Sequence, residues 1–142
     1  MRPRPAIIDT NVVVAGLITS DPGAPTARIL DGMIQGRFPF LLSTELLAEY
    51  RRVLLRERMR ELHGLTAAEI DRILAAIAAN AIVREAIEVG FPAPDPNDQH
   101  LWDLLASVPQ GILVTGETEL IRRAPQGASV ILPRTFLESL ES

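Results

Sequence analysis

Short apolar runs alternate with helical patterns along the whole chain, and this alternation constrains the fold more than any other feature. The first run, residues 6–8, is rich in β-branched side chains and stops at Asp9, as a buried parallel strand would. Further strands are predicted at residues 38–42, 81–83, 112–114 and 129–132. Strands that alternate with helices predict an α/β domain with a central, mainly parallel sheet flanked by helices.

The segments between these runs carry helix signals. Ser43 or Thr44 can cap the longest helical pattern, whose region ends at Gly64, and Thr66 with Glu69 forms a capping-box pattern. Other helices are predicted at residues 11–18, 25–36 and 117–123, after Pro96, and from Pro133 onward. No internal repeat, low-complexity tract or interdomain linker interrupts the pattern, so residues 1–142 are predicted to form one domain.

Two residue types are missing from the sequence, and both absences restrict the chemistry. Without cysteine, the chain has no disulfides, thiolate nucleophiles or Cys-type zinc sites. All 14 basic residues are arginine, so Schiff-base chemistry, a phosphate-loop lysine and a Ser–Lys dyad are excluded. The two histidines, His63 and His100, are too few for a multi-histidine metal site. The remaining catalytic chemistry belongs mainly to carboxylates and hydroxyls, with or without a metal ion.

The formal net charge of −4 argues against a protein that coats nucleic acid nonspecifically, since such proteins are normally basic. It leaves room for an enzyme that contacts nucleic acid through local arginines and bound cations. No apolar stretch approaches the length of about 18 residues that spans a bilayer. No clean signal-peptide cleavage motif follows Arg2 and Arg4. We therefore expect a cytoplasmic protein that does not associate with membranes.

Four carboxylates are candidates for a functional site, because ligands gather beyond the carboxyl ends of parallel strands. Asp9 follows the first predicted strand, and Glu117 follows the strand at 112–114. Asp98 lies in the first turn of a predicted helix, and Glu49 lies one turn into the arginine-rich helix. Close carboxylates repel each other unless protons or cations bridge them, and oxygen ligands suit Mg²⁺ or Mn²⁺. Such an ion could activate water and neutralise charge on a phosphodiester.

Each of these acids also has a structural interpretation. Glu49 could pair with Arg52 or Arg56 on a solvated helix face. Caps or turns are the alternative roles of the remaining acids, Asp9, Asp95, Asp98 and Glu117. No residue taken alone decides between the two interpretations, so the order of the motifs along the chain carries more weight.

That order resembles the PIN-domain family, and most of all its branch of VapC-like toxins from bacterial toxin–antitoxin systems. The resemblance rests on four segments: residues 7–12 (IIDTNV), 43–50 (STELLAEY), 95–98 (DPND) and 113–117 (LVTGE). It implies a three-layer PIN-like fold and a ribonuclease that depends on Mg²⁺ or Mn²⁺. Similar toxins form homodimers and are held by an antitoxin, so the implied partners are RNA, an antitoxin protein and a second copy of the chain.

The resemblance also assigns roles to individual residues. The acids that it implies to be catalytic and metal-binding are Asp9, Glu49, Asp98 and Glu117. Asn11 and Thr115 match polar positions that orient the carboxylates or a bound water, and Asp95 accompanies Asp98. Glu117 stands where the family usually has Asp in a Thr-x-Asp pattern. Its extra methylene moves the charge by about one bond length, which matters at a tightly specified Mg²⁺ site.

Arginines cluster around the long helical region and its end. The candidates for contacts to RNA phosphates are Arg51, Arg52 and Arg56, with Arg58 and Arg60 close by. The alternative is a solvated face on which these arginines pair with Glu57 and Glu61. The apolar side chains of this region are predicted to be core or a dimer surface: Leu54, Leu55, Met59 and Leu62.

Other families with an Asp after the first strand fit this sequence less well. A haloacid-dehalogenase-type phosphatase needs a second Asp two residues after the first, where this chain has Asn11. That family and the response-regulator receiver domains also use a lysine, and the chain has none. The alternative function that remains is a noncatalytic PIN-like module that binds RNA or a protein partner.

Overall fold

A computed structural model describes residues 4–86 and 91–141 of the chain and contains a parallel sheet. The strands of the described residues are β1 (Ala6–Ile8), β2 (Leu41–Leu42), β3 (Ile82–Val83), β4 (Ile112–Val114) and β5 (Ser129–Ile131). Strands β1, β4 and β5 pair in the order β1-β4-β5, while β2 pairs with β3, and every pairing is parallel. A parallel bridge between Ala6 and Phe40 joins the two parts into the order β3-β2-β1-β4-β5.

Helices connect the strands and pack around this sheet. The described residues form α1 (Thr10–Ile18), α2 (Pro25–Gln35), α3 (Thr44–Leu54), α4 (Glu57–His63), α5 (Ala67–Asn80), α6 (Gln99–Ala106), α7 (Thr118–Arg122) and α8 (Pro133–Glu141). A 3-10 turn over Pro96–Asp98 precedes α6. The predicted α/β class with a central parallel sheet flanked by helices is therefore confirmed. None of the helices in the described ranges has the length and apolar character needed to cross a membrane.

The helix starts follow the capping signals of the sequence. The Ser43 hydroxyl accepts a bond from the Leu46 amide at 3.0 Å, which satisfies one of the free N–H groups at the start of α3. Thr66 and Glu69 form a reciprocal capping box at α5, with both hydrogen bonds at 3.1 Å. The Ser43 bond sets where α3 begins, and so places its Glu49 about one turn later.

The prediction of one long helical region up to Gly64 is wrong, because the chain forms two helices there, α3 and α4. Arg56 adopts an extended conformation (φ −60°, ψ 139°) between the two helices. The His63 Nε2 lies 2.8 Å from the Leu54 carbonyl oxygen. The ring at the end of α4 thus gives a hydrogen-bond partner to a backbone carbonyl at the end of α3. This tertiary contact holds the bend between the two helices. The sequence between Leu54 and Arg56 contains no glycine or proline that would predict a bend.

The predicted strand at 38–42 is also shorter in the structure. Only Leu41–Leu42 forms a strand, with Phe40 making the single bridge to Ala6. Phe38 instead packs edge-on against Phe136 of α8, with ring centroids 5.2 Å apart. Burial of this aromatic pair takes Phe38 away from the sheet and helps to seat the last helix against the core.

The centre of the core lies between β1, β4 and α3. The side chains of β1 and of Leu113 and Val114 are fully or nearly fully buried, as expected for strands covered on both faces. Tyr50 of α3 is also fully buried, and its hydroxyl donates a hydrogen bond to the Ile8 carbonyl oxygen. This bond ties α3 to the end of β1, directly before Asp9.

Candidate active site

The strand order creates a crevice at the carboxyl end of the sheet. From β1 the chain runs to β2 and β3 on one side, then crosses to β4 and β5 on the other. The ends of β1 and β4 are thus the point where the strand order reverses, which is where ligands bind in open α/β sheets. Ile8 is in register with Val114, and the Asp9 amide donates to the Val114 carbonyl at 2.9 Å. Asp9 and Thr115 therefore emerge side by side.

Asp9 is the most buried acid of this crevice, with 3% of its surface exposed. Its Oδ2 accepts the Thr115 hydroxyl at 2.7 Å and the Asn11 amide at 3.2 Å. Asn11 is fixed in turn, because its Oδ1 accepts the Gly116 amide at 3.2 Å. Burial raises the pKa of Asp9 to about 6, aided by the charges of Asp98 and Glu49 and opposed by the Thr115 hydrogen bond. The fold thus holds a carboxyl group in place that is costly to ionise.

Glu49 reaches the same crevice from α3. Its Oε1 accepts the Thr10 hydroxyl, and its Oε2 lies 3.0 Å from His100 Nε2. The Arg52 guanidinium is also near Oε2, at 3.8 Å. The predicted pairing of Glu49 with Arg52 is thus present, but the carboxylate lies in the crevice with its side chain only 15% exposed.

Asp98 and Glu117 complete the acidic group and share a hydrogen bond. Asp98 ends the 3-10 turn before α6, and Glu117 lies between β4 and α7. Burial raises the pKa of Asp98 to about 6, followed by the charges of Glu117, Asp95 and Glu49. The pKa of Glu117 is also raised, chiefly by burial and then by the charge of Asp9. The hydrogen bond between the two side chains raises the pKa of Asp98 further and lowers that of Glu117.

These side chains line an open cleft of about 800 Å³. The predicted site residues in its lining are Asp9, Asn11, Glu49, Arg52, Arg56, Asp98 and Glu117. Apolar side chains of Val14, Val53 and Met59 form another part of the wall, so Met59 belongs to the cleft rather than to the core. The cleft therefore combines an acidic end, two cationic side chains and an apolar surface.

Three other predicted residues lie outside the cleft lining. Arg51 points to α5, where Asp71 accepts two hydrogen bonds from its guanidinium at 2.8 and 3.3 Å. Asp95 caps the 3-10 turn by accepting the Asn97 amide at 2.9 Å. Thr115 is fully buried and bonds to three residues of the cleft: its hydroxyl donates to Asp9 and accepts the Glu117 amide at 3.0 Å and the Asn11 side-chain amide at 3.4 Å.

Sequence reasoning missed two residues of the site, Thr10 and His100. Both are buried, and both hydrogen-bond to Glu49. A signal for His100 exists, because it occupies a buried position on α6 among Leu101, Leu104 and Leu105. A polar side chain on such a face needs a partner, but the sequence alone does not show that the partner is Glu49.

The donor set fits a hard divalent cation, because all four acids of the cleft offer oxygen ligands. In the two described ranges, no three His, Asp or Glu side chains are already arranged around one metal position. Burial raises the pKa values of Asp9 and Asp98 to about 6, and repulsion from the neighbouring acids adds to both rises. A divalent cation would relieve this repulsion, and all-oxygen ligands suit Mg²⁺ or Mn²⁺. The residues that would hold it are Asp9, Glu49, Asp98 and Glu117.

Fold and site together define a parallel α/β protein with a carboxylate centre suited to hydrolysis at the strand switch point. The family model described as PIN domain matches residues 5–119, which include all four acids of the cleft. The chain therefore belongs to the PIN-domain family, and the predicted three-layer PIN-like fold is confirmed. Membership indicates nuclease activity in general. A comparison with curated proteins gave no match.

Proposed function

We propose that this chain is a divalent-metal-dependent endoribonuclease that hydrolyses phosphodiester bonds of RNA. The observation that carries the proposal is the buried Asp9, held by Thr115 and Asn11 and surrounded by three further acids. Such an arrangement is costly for folding unless a cation or a proton occupies it. When bound, Mg²⁺ or Mn²⁺ supplies an activated water and neutralises charge on the phosphodiester.

The residues of the chain divide the remaining work between orientation and charge. Thr115 and Asn11 fix Asp9, while Thr10 fixes one oxygen of Glu49. These bonds hold the carboxylates before substrate arrives, and catalytic groups that are already oriented need no rearrangement during the reaction. Asp98 and Glu117 bring two further carboxyl groups to the same cleft.

Arg52 and Arg56 are suited to hold RNA phosphates beside the acidic group. Both are exposed and line the cleft, whereas Arg51 is committed to Asp71. Guanidinium groups bind phosphate oxygens with charge-assisted hydrogen bonds and supply no base preference. We therefore place the RNA backbone between the acidic end and these two arginines, and we leave Arg51 out of the interface.

Cleavage of RNA by the purified protein tests the proposal. A panel of single-stranded and structured RNAs is incubated with Mn²⁺ or Mg²⁺, and with EDTA as the metal-free control. We expect cleavage that needs the cation and that Asp9→Asn abolishes. A wild-type protein that binds Mn²⁺ yet cuts none of the RNAs would favour the noncatalytic PIN-like binding module instead.

We further propose that the ribonuclease is the toxin of a toxin–antitoxin pair. The apolar side chains of α4 support a partner surface, because Leu62 is 55% exposed and lies three residues after Met59 of the cleft wall. An antitoxin segment that covered both would also cover the cleft, and a homodimer is the other expected assembly. Growth arrest on expression in bacteria, relieved by Asp9→Asn, tests the toxin role, and light scattering gives the oligomeric state.

A further inference from the structure

His100 joins the two helices that carry acids of the cleft. It is the second residue of α6, two positions after Asp98, and only 6% of it is exposed. Its Nε2 lies 3.0 Å from Oε2 of Glu49 on α3, a residue 51 positions earlier in the chain. The contact therefore fixes the placement of Glu49 relative to the start of α6, where Asp98 lies.

The other ring nitrogen of His100 identifies which proton makes this bond. Nδ1 is buried, and among the described residues it has no hydrogen-bond partner. A carboxylate only accepts, so Nε2 carries the proton and donates it to Glu49. The one hydrogen bond of the ring among the described residues therefore goes to Glu49.

Glu49 has a second charged partner on the same carboxylate oxygen. Arg52 lies one turn further along the same helix, 3.8 Å from Oε2, with a side chain 63% exposed. An exposed ion pair of this kind adds little because water screens it. The bond from His100 is shorter, at 3.0 Å, and buried, so it is the contact that directs Oε2 toward α6.

We propose that His100 is a positioning residue for Glu49, which it aims into the acidic group through its Nε2–H. The inference rests on the proposed function in taking Glu49 as a cation-binding carboxylate. Partners that orient metal-binding side chains in this way typically change cation affinity by about 10- to 100-fold when they are removed. Loss of the Nε2–H donor should therefore weaken cation binding, even in a protein that remains folded.

Two amide substitutions separate positioning from packing. In His100→Gln the amide nitrogen can replace Nε2, whereas in His100→Asn it reaches only the place of Nδ1, which has no partner. We expect His100→Gln to keep the Mn²⁺ affinity of wild type, measured by calorimetry on the metal-free protein. We expect His100→Asn and His100→Leu to lose about 10-fold or more. Equal affinities in the Gln and Asn variants would overturn the proposal.

His63 provides the matched control, because its Nε2 bonds to the Leu54 carbonyl and takes no part in the cleft. His63→Gln should change thermal stability without changing Mn²⁺ affinity. A merely structural role of His100 would give the same result: all three His100 variants would melt at lower temperature and bind Mn²⁺ like wild type. That pattern would reject positioning even if every variant folds.

A metal-free measurement keeps this test separate from the test of ribonuclease activity. Nitrogen-15 NMR of the histidine rings should show a slowly exchanging proton on Nε2 of His100, and Glu49→Ala should speed that exchange. An Nδ1–H tautomer, or an exchange rate that ignores Glu49→Ala, would overturn the proposal. Absence of RNA cleavage in a protein that passes this test would reject the proposed function alone.

Discussion

The Thr115 hydroxyl donates to Asp9 Oδ2 at 2.7 Å, and the two residues directly follow the neighbouring parallel strands β4 and β1. The register that pairs Ile8 with Val114 also sets the spacing of this bond. Asn11, one helical residue beyond Thr10, closes the group by bonding to both Asp9 and the Gly116 amide. Sheet pairing thus builds the most buried part of the site, and the helices only need to bring the other acids to it.

Asp9→Asn should abolish cleavage and yet stabilise the metal-free protein near neutral pH. Burial favours the neutral form of this residue, and a rise from 3.8 to about 6 corresponds to about 3 kcal/mol of unfavourable ionisation. Asn is neutral and can still accept from Thr115, although it loses one charge-assisted bond. We expect a net gain of about 1–2 kcal/mol in the free energy of unfolding, measured with urea in EDTA.

The pH dependence of this gain in the free energy of unfolding tests whether the ionisation of Asp9 is its cause. Because the pKa of Asp9 is higher in the folded protein, folding binds a proton there, and its ionisation destabilises the fold as the pH rises from about 4 through about 6. The advantage of Asp9→Asn should be complete above about pH 7 and vanish below about pH 4. A difference that stays the same across this range would contradict the assigned cause.

Divalent cations should stabilise the protein, and more so at higher pH. A cation held by the four acids binds only the folded chain, so saturation at about 100 times the dissociation constant adds about 2.7 kcal/mol. Protons compete for Asp9 and Asp98, whose pKa values are near 6, so the effect should shrink as the pH falls below that value. Melting curves with Mg²⁺, Mn²⁺ or EDTA at two pH values measure it. Asp9→Asn should show little cation effect at either pH.

The residues that sequence reasoning could place are those whose geometry is local. Asp9 directly follows β1, Glu117 comes three residues after the last residue of β4, and the cap at Ser43 determines where Glu49 falls on α3, so their meeting follows from the order of the strands. The partners that hold Glu49 could not be found in this way. His100 is 51 residues away, and its role depends on how α6 packs against α3.

Two neighbouring arginines show the same limit of reasoning from the sequence. Arg51 and Arg52 are neighbours in sequence, but successive helix residues point in directions about 100° apart. One therefore faces Asp71 of α5 and the other the cleft. The apolar stripe of α3 gives the direction of the core but not the position of α5, so the sequence pattern treats the two as equivalent.

Glu117→Gln should weaken Mn²⁺ binding and move its pH dependence to lower pH. The charge of Glu117 is, after burial, the largest cause of the raised pKa of Asp98, and a hydrogen bond between the two side chains raises it further. Without that charge, Asp98 ionises at lower pH. The pH below which protons compete with the cation for this carboxylate is therefore lower as well. Affinity measured against pH by calorimetry gives both changes.

Glu117→Asp supplies the matched control for this prediction. It keeps the charge but shortens the side chain that reaches Asp98, so it should bind Mn²⁺ more tightly than Glu117→Gln near neutral pH. Equal affinity of the two variants, with no difference in pH midpoint, would show that the carboxylate of Glu117 takes no part in cation binding.

Arg56→Ala should lower both the affinity for single-stranded RNA and its dependence on salt, whereas Arg51→Ala should change neither. Arg56 lines the cleft, and Arg51 pairs with Asp71 at 2.8 Å on another face of α3. Each lost phosphate contact on a single strand should reduce the slope of log affinity against log salt by about 0.7. Fluorescence anisotropy in EDTA, with Asp9→Asn as the background, measures binding without cleavage.

The same pair of variants separates an interface from a general charge effect, because each removes one positive charge from the same region of the chain. Arg51→Ala breaks an exposed ion pair that water screens, so it should change folding stability little. If both variants flatten the salt dependence equally, RNA is attracted by the overall charge of this region and not held in the cleft. If neither does, Arg56 makes no phosphate contact, and the backbone of the RNA follows another path away from the acids.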